Sequence, residues 1–302
     1  MSSAAQPAPA PHPPAPTSNS AQRVAWVALG AGLLIMALKM SVYVLTDSAA
    51  VLSDALESTV NLAAAGVAIW TTWYAAKPAD DAHPYGHGRV EFFAVGLEGA
   101  LVLIAGLTII YEAAHRLMEG RGPGKLELGI VLLAGVSVLA GWLAGYVWWR
   151  GVKLDSPTLI ADGKHLATDV LTTFGVLIGL ILVKITGILW LDAAIAMVLA
   201  LVILFTGGRL VMHSWAGFMD RIDPADDAAI RAILDAQVSA GRISGYHKVR
   251  HRHQGSFHWV DLHIQVPGDM SVARSHQIAS EIEHAIESRL GRADATSHIE
   301  PA

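Results

Sequence analysis

The sequence predicts an α-helical membrane protein with six transmembrane helices, followed by a small α+β domain at the C-terminal end. Of its 302 residues, 53% are hydrophobic and only 16% are charged. The mean hydropathy of +0.44 is too high for a soluble domain with a solvated surface. Six apolar runs each approach the length of about 20 residues that a spanning helix needs. The residues after these runs follow helix and strand periodicities typical of a soluble domain.

The composition also excludes several classes of function. The net charge is −5 and the basic residues are scattered, so we expect no nucleic-acid partner. The chain has no cysteine, which excludes disulfides and thiolate ligands, and its 14 histidines become the main borderline-soft metal ligands. Because no H-E-x-x-H or nucleophile motif occurs, we do not expect an enzyme.

The chain divides into three predicted parts. Residues 1–22 are rich in Pro, Ala and Ser and lack the pattern of a signal peptide, so we interpret them as a disordered tail. Residues 23–217 form a transmembrane domain and residues 218–302 a soluble domain. The six apolar runs are Val24–Leu45, Ala49–Trp70, Phe92–Tyr111, Leu126–Trp148, Leu159–Ile185 and Leu189–Met212.

The predicted topology places both termini on one side of the membrane, because the number of spans is even. Lys and Arg near the run ends favour the cytoplasm as that side. Trp70, Trp148 and Trp190 lie near run ends, where interfacial anchors are expected. We therefore expect an integral protein of a bacterial cytoplasmic membrane with cytoplasmic termini.

The soluble domain has the predicted order helix, strand, strand, helix, strand. The stretch DPADDAAIRAILDAQVSAG begins with Asp-Pro and ends with Gly, as helices do. A weaker strand over Tyr246–Arg252 precedes SFHWVDLHIQVPG, whose strict alternation indicates a half-buried strand. The amphipathic helix SVARSHQIASEIEHAIESRL is followed by ATSHIEPA, a short strand or tail. This order predicts a small α+β unit.

A polar motif occurs twice, as DALESTVN in the second run and DGKHLATD in the fifth. Each motif places polar side chains at i, i+3 and i+7, which form one stripe on a helix. Two facing stripes supply the four ligands that a tetrahedral metal site requires. The inner pairs are Glu57 with Asn61 and His165 with Asp169, and the outer residues are Asp54 and Asp162.

Each motif has a structural alternative, in which its polar groups cap helices or hold the bundle together. For Asp54 and Asp162 both interpretations stay open, and we regard these residues as possible accessory ligands. For the inner four, metal binding is favoured because ionisable groups within spans are costly and usually mark a substrate or proton path. Lys39, deep in the first run, is interpreted as an ion-paired or snorkelling residue.

Two further clusters have the composition of metal sites. The loop KPADDAHPYGHGRVE contains Asp80, His83 and His87, with Pro and Gly residues that permit tight turns. A solvated connector is the alternative for this loop. The soluble domain carries the second cluster, for which ordinary surface histidines are the alternative. Its members are His247, His263, His276, His298 and Glu300.

Taken together, these motifs resemble the cation diffusion facilitator family of metal transporters. The resemblance covers essentially the whole chain after residue 20. It is carried by SDALES followed by Asn61, by KPADDAHPYGHGRVE, by HLATD, by FMDR and by the C-terminal histidines, which fall in the order of the family. The resemblance implies a homodimer in the lipid bilayer, in which each protomer has six transmembrane helices and a cytoplasmic ferredoxin-like domain.

The resemblance also implies roles for the candidate residues. The transport site of the family falls on Glu57, Asn61, His165 and Asp169, its loop site on Asp80, His83 and His87, and its cytoplasmic binuclear site on His247, His263, His276, His298 and Glu300. Arg89 and Asp220 fall where some members carry a charge pair between protomers. The chain departs from the family at Glu57 and Asn61, where zinc-transporting members usually carry His or Asp, then Asp.

The expected function is efflux of a divalent metal cation. His165 and Asp169 bind metal only when deprotonated, and imidazole titrates near neutrality, so protons compete with the ion. We therefore expect alternating access with protons as counter-ion, and Zn²⁺ or another divalent transition metal as substrate and regulatory ligand. The alternatives are a transporter selective for ferrous iron, manganese or cobalt, and a membrane metal sensor that does not transport.

Overall fold

The structure, a computed structural model, describes residues 19–154, 157–255 and 257–302. The predicted disorder of the tail falls mainly on residues 1–18, outside the described residues. The first helix begins at Asn19, within the segment 1–22 that the sequence assigned to the tail. The long helices are α1 (Asn19–Thr46), α2 (Ala49–Ala75), α3 (Val90–Glu119), α4 (Leu126–Lys153), α5 (Pro157–Thr186) and α6 (Trp190–Phe218).

Five of these helices are long and apolar enough to cross a membrane, judged by length and composition. The qualifying segments are Trp26–Thr46, Val90–Glu119, Leu126–Lys153, Asp162–Thr186 and Trp190–Phe218. The remaining long helix, α2, has 27 residues and carries the polar stretch 53–61. That α2 is a sixth span therefore stays a prediction.

The described chain divides into two units, of which one comprises residues 19–69 and 94–212. Its apolar core includes Val42, Ile109, Leu133 and Leu180 from four different helices. In this unit α4 packs against both α1 and α5. The contact between α4 and α5 is close at Gly163, where a Cβ atom would lie 2.6 Å from the Trp148 backbone nitrogen. A glycine is therefore required there, because any side chain would push α5 away from α4.

The N-terminus of α2 in this unit is capped by an acidic side chain from another helix. Ser48 Oγ donates to Asp192 Oδ1 at 2.6 Å, and the backbone N–H of Ala49 donates to Asp192 Oδ2 at 2.7 Å. A carboxylate in this position accepts hydrogen bonds from the otherwise unpaired first turn and interacts favourably with the helix dipole. This cap joins the start of α2, eight residues before Glu57, to the first turn of α6.

The second unit comprises residues Trp70–Phe93 and His213–Ala302. It contains α7 (Pro224–Ser239), β1 (Gly245–Gln254), β2 (Phe257–Val266), α8 (Val272–Leu290) and β3 (Ala293–Pro301), the predicted order. The sheet order is β1-β2-β3, with β1 antiparallel and β3 parallel to β2. A ferredoxin-like fold has the order βαββαβ. The described domain has this order without its first strand.

The sheet has one helix-covered face and one face of polar side chains. Leu262 and Ile264 on β2 pack with Ile230 of α7 and with Ile278 and Ile282 of α8. The alternation along β2 therefore places residues 258, 260, 262 and 264 on the helix-covered face. His263 lies between Leu262 and Ile264 in the chain and consequently projects from the opposite, open face.

A β-bulge in β1 changes which face its side chains occupy. His247 is paired with His263, whereas His251 is paired with Val260, and the register shifts between His247 and Arg250. Lys248 has φ of 50° at this irregularity. In a regular strand two residues four positions apart share a face, but one extra residue reverses the alternation. His247 therefore projects from the open face and His251 from the helix-covered face.

Candidate metal centres

The polar stripes of α2 and α5 meet in the helical unit. Asn61 Nδ2 donates a hydrogen bond of 3.0 Å to Asp169 Oδ2. Glu57 lies one turn before Asn61 on α2, and Thr172 Oγ1 of α5 donates a hydrogen bond of 2.8 Å to the backbone carbonyl oxygen of Asp169. The contact between Asn61 and Asp169 thus joins the two helices that the repeated motif indicated.

The fourth predicted ligand, His165, does not take part in this contact. Its side chain is exposed. Among the described residues, the ligand atoms of Glu57, His165 and Asp169 do not all lie within 4.8 Å of one another. His165 is one helical turn before Asp169, so a rotamer change or a movement of α5 is needed to bring its imidazole to the other ligands.

The outer residue Asp54 is part of a buried ion pair. Lys39 Nζ lies 2.8 Å from Asp54 Oδ1, and these side chains are 3% and 1% exposed. Ser58 Oγ accepts a second hydrogen bond from Lys39 at 3.0 Å, and Thr173 Oγ1 donates to Asp54 Oδ1 at 2.7 Å. Lys39 is ion-paired, in agreement with its predicted role. In this conformation Asp54 balances the charge of Lys39, and its role as an accessory ligand stays a prediction. Asp162 is exposed and lies apart from this network.

The loop between α2 and α3 gathers its three predicted ligands. Asp80 Oδ1 is 3.0 Å from His83 Nδ1, and Asp80 Oδ2 is 3.4 Å from His87 Nε2. The His87 side chain is 4% exposed, and its Nδ1 has no hydrogen-bond partner among the described residues. Hydrogen bonding lowers the pKa of Asp80, first through the backbone N–H of His83, so the carboxylate stays charged. This donor set fits a divalent transition metal.

The same loop is fixed against the C-terminal sheet, within one unit of the structure. Gln254 Nε2, near the end of β1, donates a hydrogen bond of 2.9 Å to the carbonyl oxygen of Gly86. Gly86 has φ of 84°, a conformation that favours glycine. Tyr85 contacts Trp259 of β2 edge to face, with ring centroids 5.0 Å apart. The position of the loop therefore depends on the end of the β1–β2 hairpin.

The open face of the sheet gathers most of the predicted cytoplasmic site. His263 Nδ1 is 2.7 Å from Glu300 Oε1, and His247 Nε2 is 3.1 Å from Glu300 Oε2. His298 is paired with His263 across β2 and β3, and its Nε2 is 3.8 Å from Glu300 Oε1. The hydrogen bond from His263 lowers the pKa of Glu300. We call His247, His263, His298 and Glu300 the sheet-face site.

The predicted ligand His276 does not belong to the sheet-face site of its own chain. It is exposed on α8, a helix whose buried residues pack on the other face of the sheet. The periodicity of the sequence indicated that His276 is on a helix, but it did not indicate on which face of the sheet that helix packs. Within one chain His276 therefore lies outside the cluster, and its role as a ligand stays a prediction.

A further group, Asp226, His253 and His258, was missed from the sequence. One ligand atom from each of these residues lies within 4.8 Å of the others. They come from the first turn of α7 and from both strands of the β1–β2 hairpin. The available signal was HRHQGSFH, in which histidines alternate along one strand and recur on the next. The β-bulge concealed this signal, because the bulge places these histidines on the helix-covered face, which otherwise forms the core.

The predicted charge pair of Arg89 and Asp220 forms within one chain. Arg89 Nη2 lies 2.5 Å from Asp220 Oδ1, and Arg252 Nη1 lies 3.5 Å from Asp220 Oδ2. A pair between protomers stays a prediction. Arg89 precedes α3 directly and Asp220 follows α6 by two residues, so both lie at helix ends in the same unit.

Comparison with known proteins identifies the family. The cation efflux transmembrane domain matches residues 25–219, and the cytoplasmic domain of cation efflux proteins matches residues 222–302. The chain belongs to the cation diffusion facilitator family. Membership in this family supports divalent metal cation efflux by an integral membrane protein, and it agrees with the expectation of a transporter and not an enzyme.

Relatives match the chain over nearly its whole length. The uncharacterized transporter sll1263 of Synechocystis sp. is 40% identical over 286 residues, which cover 94% of this chain and 92% of that protein. The cation-efflux pump FieF of Salmonella arizonae is 25% identical, with 92% of each chain covered. The manganese efflux system protein MneS of Bacillus subtilis is also 25% identical, with 92% of this chain and 94% of that protein covered.

Proposed function

We propose that the protein exports Zn²⁺ in exchange for protons by alternating access, with Glu57, Asn61, His165 and Asp169 as its transport site. The observation that carries this proposal is the contact between Asn61 of α2 and Asp169 of α5. It supports the proposal because it joins two polar stripes that are surrounded by otherwise apolar helical sequence. Polar groups in such positions are costly to bury in a membrane, and they usually mark the path of a transported ion.

The amide of Asn61 occupies the place of the cation in the observed conformation. Its Nδ2 donates to Asp169 Oδ2, so a positively polarised group lies against the carboxylate. To bind a metal ion, Asn61 must turn and present its amide oxygen, since an amide nitrogen does not coordinate Zn²⁺ in this form. The two carboxylates of Glu57 and Asp169 then balance the double charge of the ion.

Proton coupling follows from competition for the same donor atoms. His165 and Asp169 must lose their protons to bind metal, so loading releases protons and protonation displaces the ion. Imidazole titrates near neutral pH, which makes His165 the ligand most sensitive to a physiological pH difference. With both termini in the cytoplasm, metal is loaded from the cytoplasm and is displaced by protons on the opposite side.

We further propose that the transporter is a homodimer whose C-terminal domains share metal. His276 is exposed and lies outside the sheet-face site of its own chain. It can join such a site only across an interface between two copies. The remaining donors, three imidazoles and one carboxylate, fit Zn²⁺ and related divalent ions.

Metal flux into sealed vesicles tests the proposed function. Purified protein is reconstituted into liposomes that contain a zinc-sensitive dye, and zinc is added outside at matched and unmatched pH. Zinc uptake should accelerate when the interior is more acidic, because protons then leave as zinc enters. Metal binding without flux under any gradient would show that the protein is a membrane sensor instead of a transporter.

Manganese or ferrous iron is the second candidate substrate, and Asn61 favours it. An amide replaces the carboxylate that family members usually carry, which reduces the charge and lowers affinity for every divalent ion. A relative of this chain is named a manganese efflux protein. Initial flux rates for Zn²⁺, Mn²⁺, Fe²⁺ and Co²⁺ in the same vesicles decide between these substrates.

Asn61→Asp is expected to preserve zinc flux and to tighten zinc binding about tenfold or more, because it adds a negative charge beside Asp169. Isothermal titration of the full-length protein measures the affinity. Asn61→Leu serves as the control, since it removes the amide oxygen without adding charge and should weaken binding. Weaker zinc binding by Asn61→Asp would contradict direct coordination at this position.

The double variant His83→Ala/His87→Ala is expected to reduce zinc flux severalfold without abolishing it. The loop cluster lies outside the α2–α5 stripe, so it should affect metal delivery or conformation and not the path itself. Flux is measured in the same vesicles, with His284→Ala as control because that histidine is 82% exposed on α8. Complete loss of flux in a correctly inserted double variant would place the loop on the main path.

Zinc is expected to stabilise the isolated fragment 222–302 through the sheet-face site. A ligand at 100 times its Kd adds about 2.7 kcal/mol to the free energy of unfolding, which corresponds to a rise of roughly 10–20 °C in Tm for a domain of this size. His263→Ala/Glu300→Gln should lose the part of this rise that comes from the sheet-face site. Thermal unfolding followed by circular dichroism measures it, and an equal rise in that variant would contradict the assignment.

A further inference from the structure

Asp226, His253 and His258 form a compact group that the transport mechanism does not use, which we call the hairpin cluster. His253 Nε2 is 2.8 Å from Asp226 Oδ2, and His258 Nδ1 is 3.3 Å from the same oxygen. The imidazole rings of His253 and His258 are 4.3 Å apart at their centroids. Two imidazole nitrogens therefore converge on one carboxylate oxygen at the spacing of ligands around a single ion.

The hairpin cluster is separate from the sheet-face site. His253 is paired with His258 across β1 and β2, and both side chains lie on the helix-covered face. His247 and His263 lie on the open face, on the other side of the bulge at residues 248 and 249. The two groups of histidines are thus on opposite faces of the same sheet, and no ion could bind to both.

Unpartnered polar atoms surround the hairpin cluster. His251 Nε2 and Asp227 Oδ1 are 3.8 Å apart, and neither has a hydrogen-bond partner among the described residues. The His251 side chain is 1% exposed. His258 Nδ1 is also buried without a hydrogen bond, despite its short distance to Asp226. Buried polar atoms in folded proteins nearly always have partners, and an unsatisfied one costs about 1–3 kcal/mol.

The donor atoms select a class of ion. Two imidazole nitrogens with one carboxylate oxygen match the ligand sets of Zn²⁺ and similar borderline ions, whereas Mg²⁺ and Ca²⁺ require oxygen shells. Three protein ligands leave a fourth position for water in a tetrahedral site.

We propose that the hairpin cluster is an additional metal site, which binds one Zn²⁺ per protomer through Asp226, His253 and His258. His251 and Asp227 form the polar surroundings that a bound ion and its water would satisfy. The ion joins the first turn of α7 to both strands of the hairpin, where the described side chains otherwise provide one hydrogen bond, between His253 and Asp226.

Metal in the hairpin cluster would act on the loop site through the neighbouring residue. Gln254 follows His253 directly and donates its side-chain hydrogen bond to Gly86, within the loop that carries His83 and His87. A metal ion that immobilises the end of β1 would therefore also immobilise Gln254, which holds the loop through Gly86. This consequence concerns regulation, and metal binding at the hairpin cluster does not depend on the proposed transport cycle.

Zinc stoichiometry in the full-length protein provides the first test. Detergent-purified, metal-free protein is dialysed to equilibrium against Zn²⁺, and bound zinc per chain is measured by mass spectrometry of the metal. His253→Gln/His258→Gln should bind one zinc fewer per chain than the unmodified protein. Asp226→Asn, which keeps the shape of the side chain, should lower the zinc affinity of this site at least about tenfold. The exposed His284→Gln is the control and should keep the full count.

Hydrogen exchange locates the lost ion. Zinc should slow exchange at least about tenfold in peptides covering residues 224–231 and 246–255 of the unmodified protein. The protection should persist in His247→Ala/Glu300→Gln, which removes the sheet-face site, and should vanish in Asp226→Asn. An unchanged zinc count in the hairpin variants overturns the proposal, and so does protection that disappears with the sheet-face variant instead.

Discussion

Asp169→Ala should abolish zinc flux, lowering the initial rate in proteoliposomes by at least about 100-fold. The substitution removes the carboxylate that Asn61 contacts and leaves Glu57 as the one negative charge at the transport site. A divalent ion then has too few anionic ligands to offset the loss of its hydration shell. His165→Ala should have a similar effect, since it removes the nitrogen ligand and the group most sensitive to protons.

Asp162→Ala is the matched control for this prediction. It is an acidic residue of the same helix, two turns before Asp169, and its side chain is exposed. Zinc flux should remain within about twofold of the unmodified protein if this residue is no ligand. If Asp169→Ala still moves zinc at the unmodified rate, with insertion verified, the four-ligand assignment is wrong and Asp54 and Asp162 become the next candidates.

His165→Asp provides a second contrast at the same position. The substitution converts the set of donor atoms to oxygen alone, which suits Mn²⁺ better than Zn²⁺. The ratio of manganese to zinc flux should therefore rise, although an all-oxygen site discriminates between divalent ions less strongly than a site with an imidazole ligand. The test is easy to interpret, because His165 is not clustered with Glu57 and Asp169 in the described structure, so the substitution would not disturb such a cluster.

The sequence was most informative where spacing along one element determines proximity. The i, i+3, i+7 repeat predicted that α2 and α5 carry matching stripes, and the contact of Asn61 with Asp169 agrees with that prediction. The loop ligands Asp80, His83 and His87 were predicted because a short loop with Pro and Gly keeps its side chains near each other. The strict alternation in β2 likewise predicted that His263 lies on the polar face of its strand.

Features that depend on packing between elements could not be predicted in this way. The face on which α8 packs decides that His276 lies apart from His263, and no periodicity within α8 reports it. The bulge after His247 reverses the alternation of β1, so His251 and His253 project from the helix-covered face, whereas a regular strand would place them on the open face with His247. Asp226 completed the hairpin cluster from another element, across 27 positions of the chain.

The buried pair of Lys39 and Asp54 also required the structure, because the two residues belong to different helices. Lys39 donates to Asp54 and Ser58 of α2, and Asp54 accepts from Thr173 of α5, so three helices meet at one charge pair. Asp54 and Thr173 are each about one turn from Glu57 and Asp169. The pair therefore holds together the two helices that carry the transport ligands.

Lys39→Met should lower the free energy of unfolding by about 3–5 kcal/mol, since it leaves the Asp54 carboxylate buried without its counter-charge. Met has nearly the length of Lys and fills the same space, so the loss reports charge and not volume. Thermal or SDS-induced unfolding of the purified full-length protein measures this change. The zinc affinity should change as well, because an unbalanced Asp54 adds negative charge near Glu57 and Asp169.

The double variant Lys39→Met/Asp54→Asn separates these effects. Removing both charges from a buried pair is often close to neutral, because the cost of burying each ion disappears together with their attraction. Most of the lost stability should therefore return in the double variant, whereas Asp54→Asn alone should leave a buried unpaired ammonium and be destabilised like Lys39→Met. Equal stability of all three variants would show that Lys39 reaches solvent or lipid headgroups, and that the pair does not hold α1, α2 and α5 together.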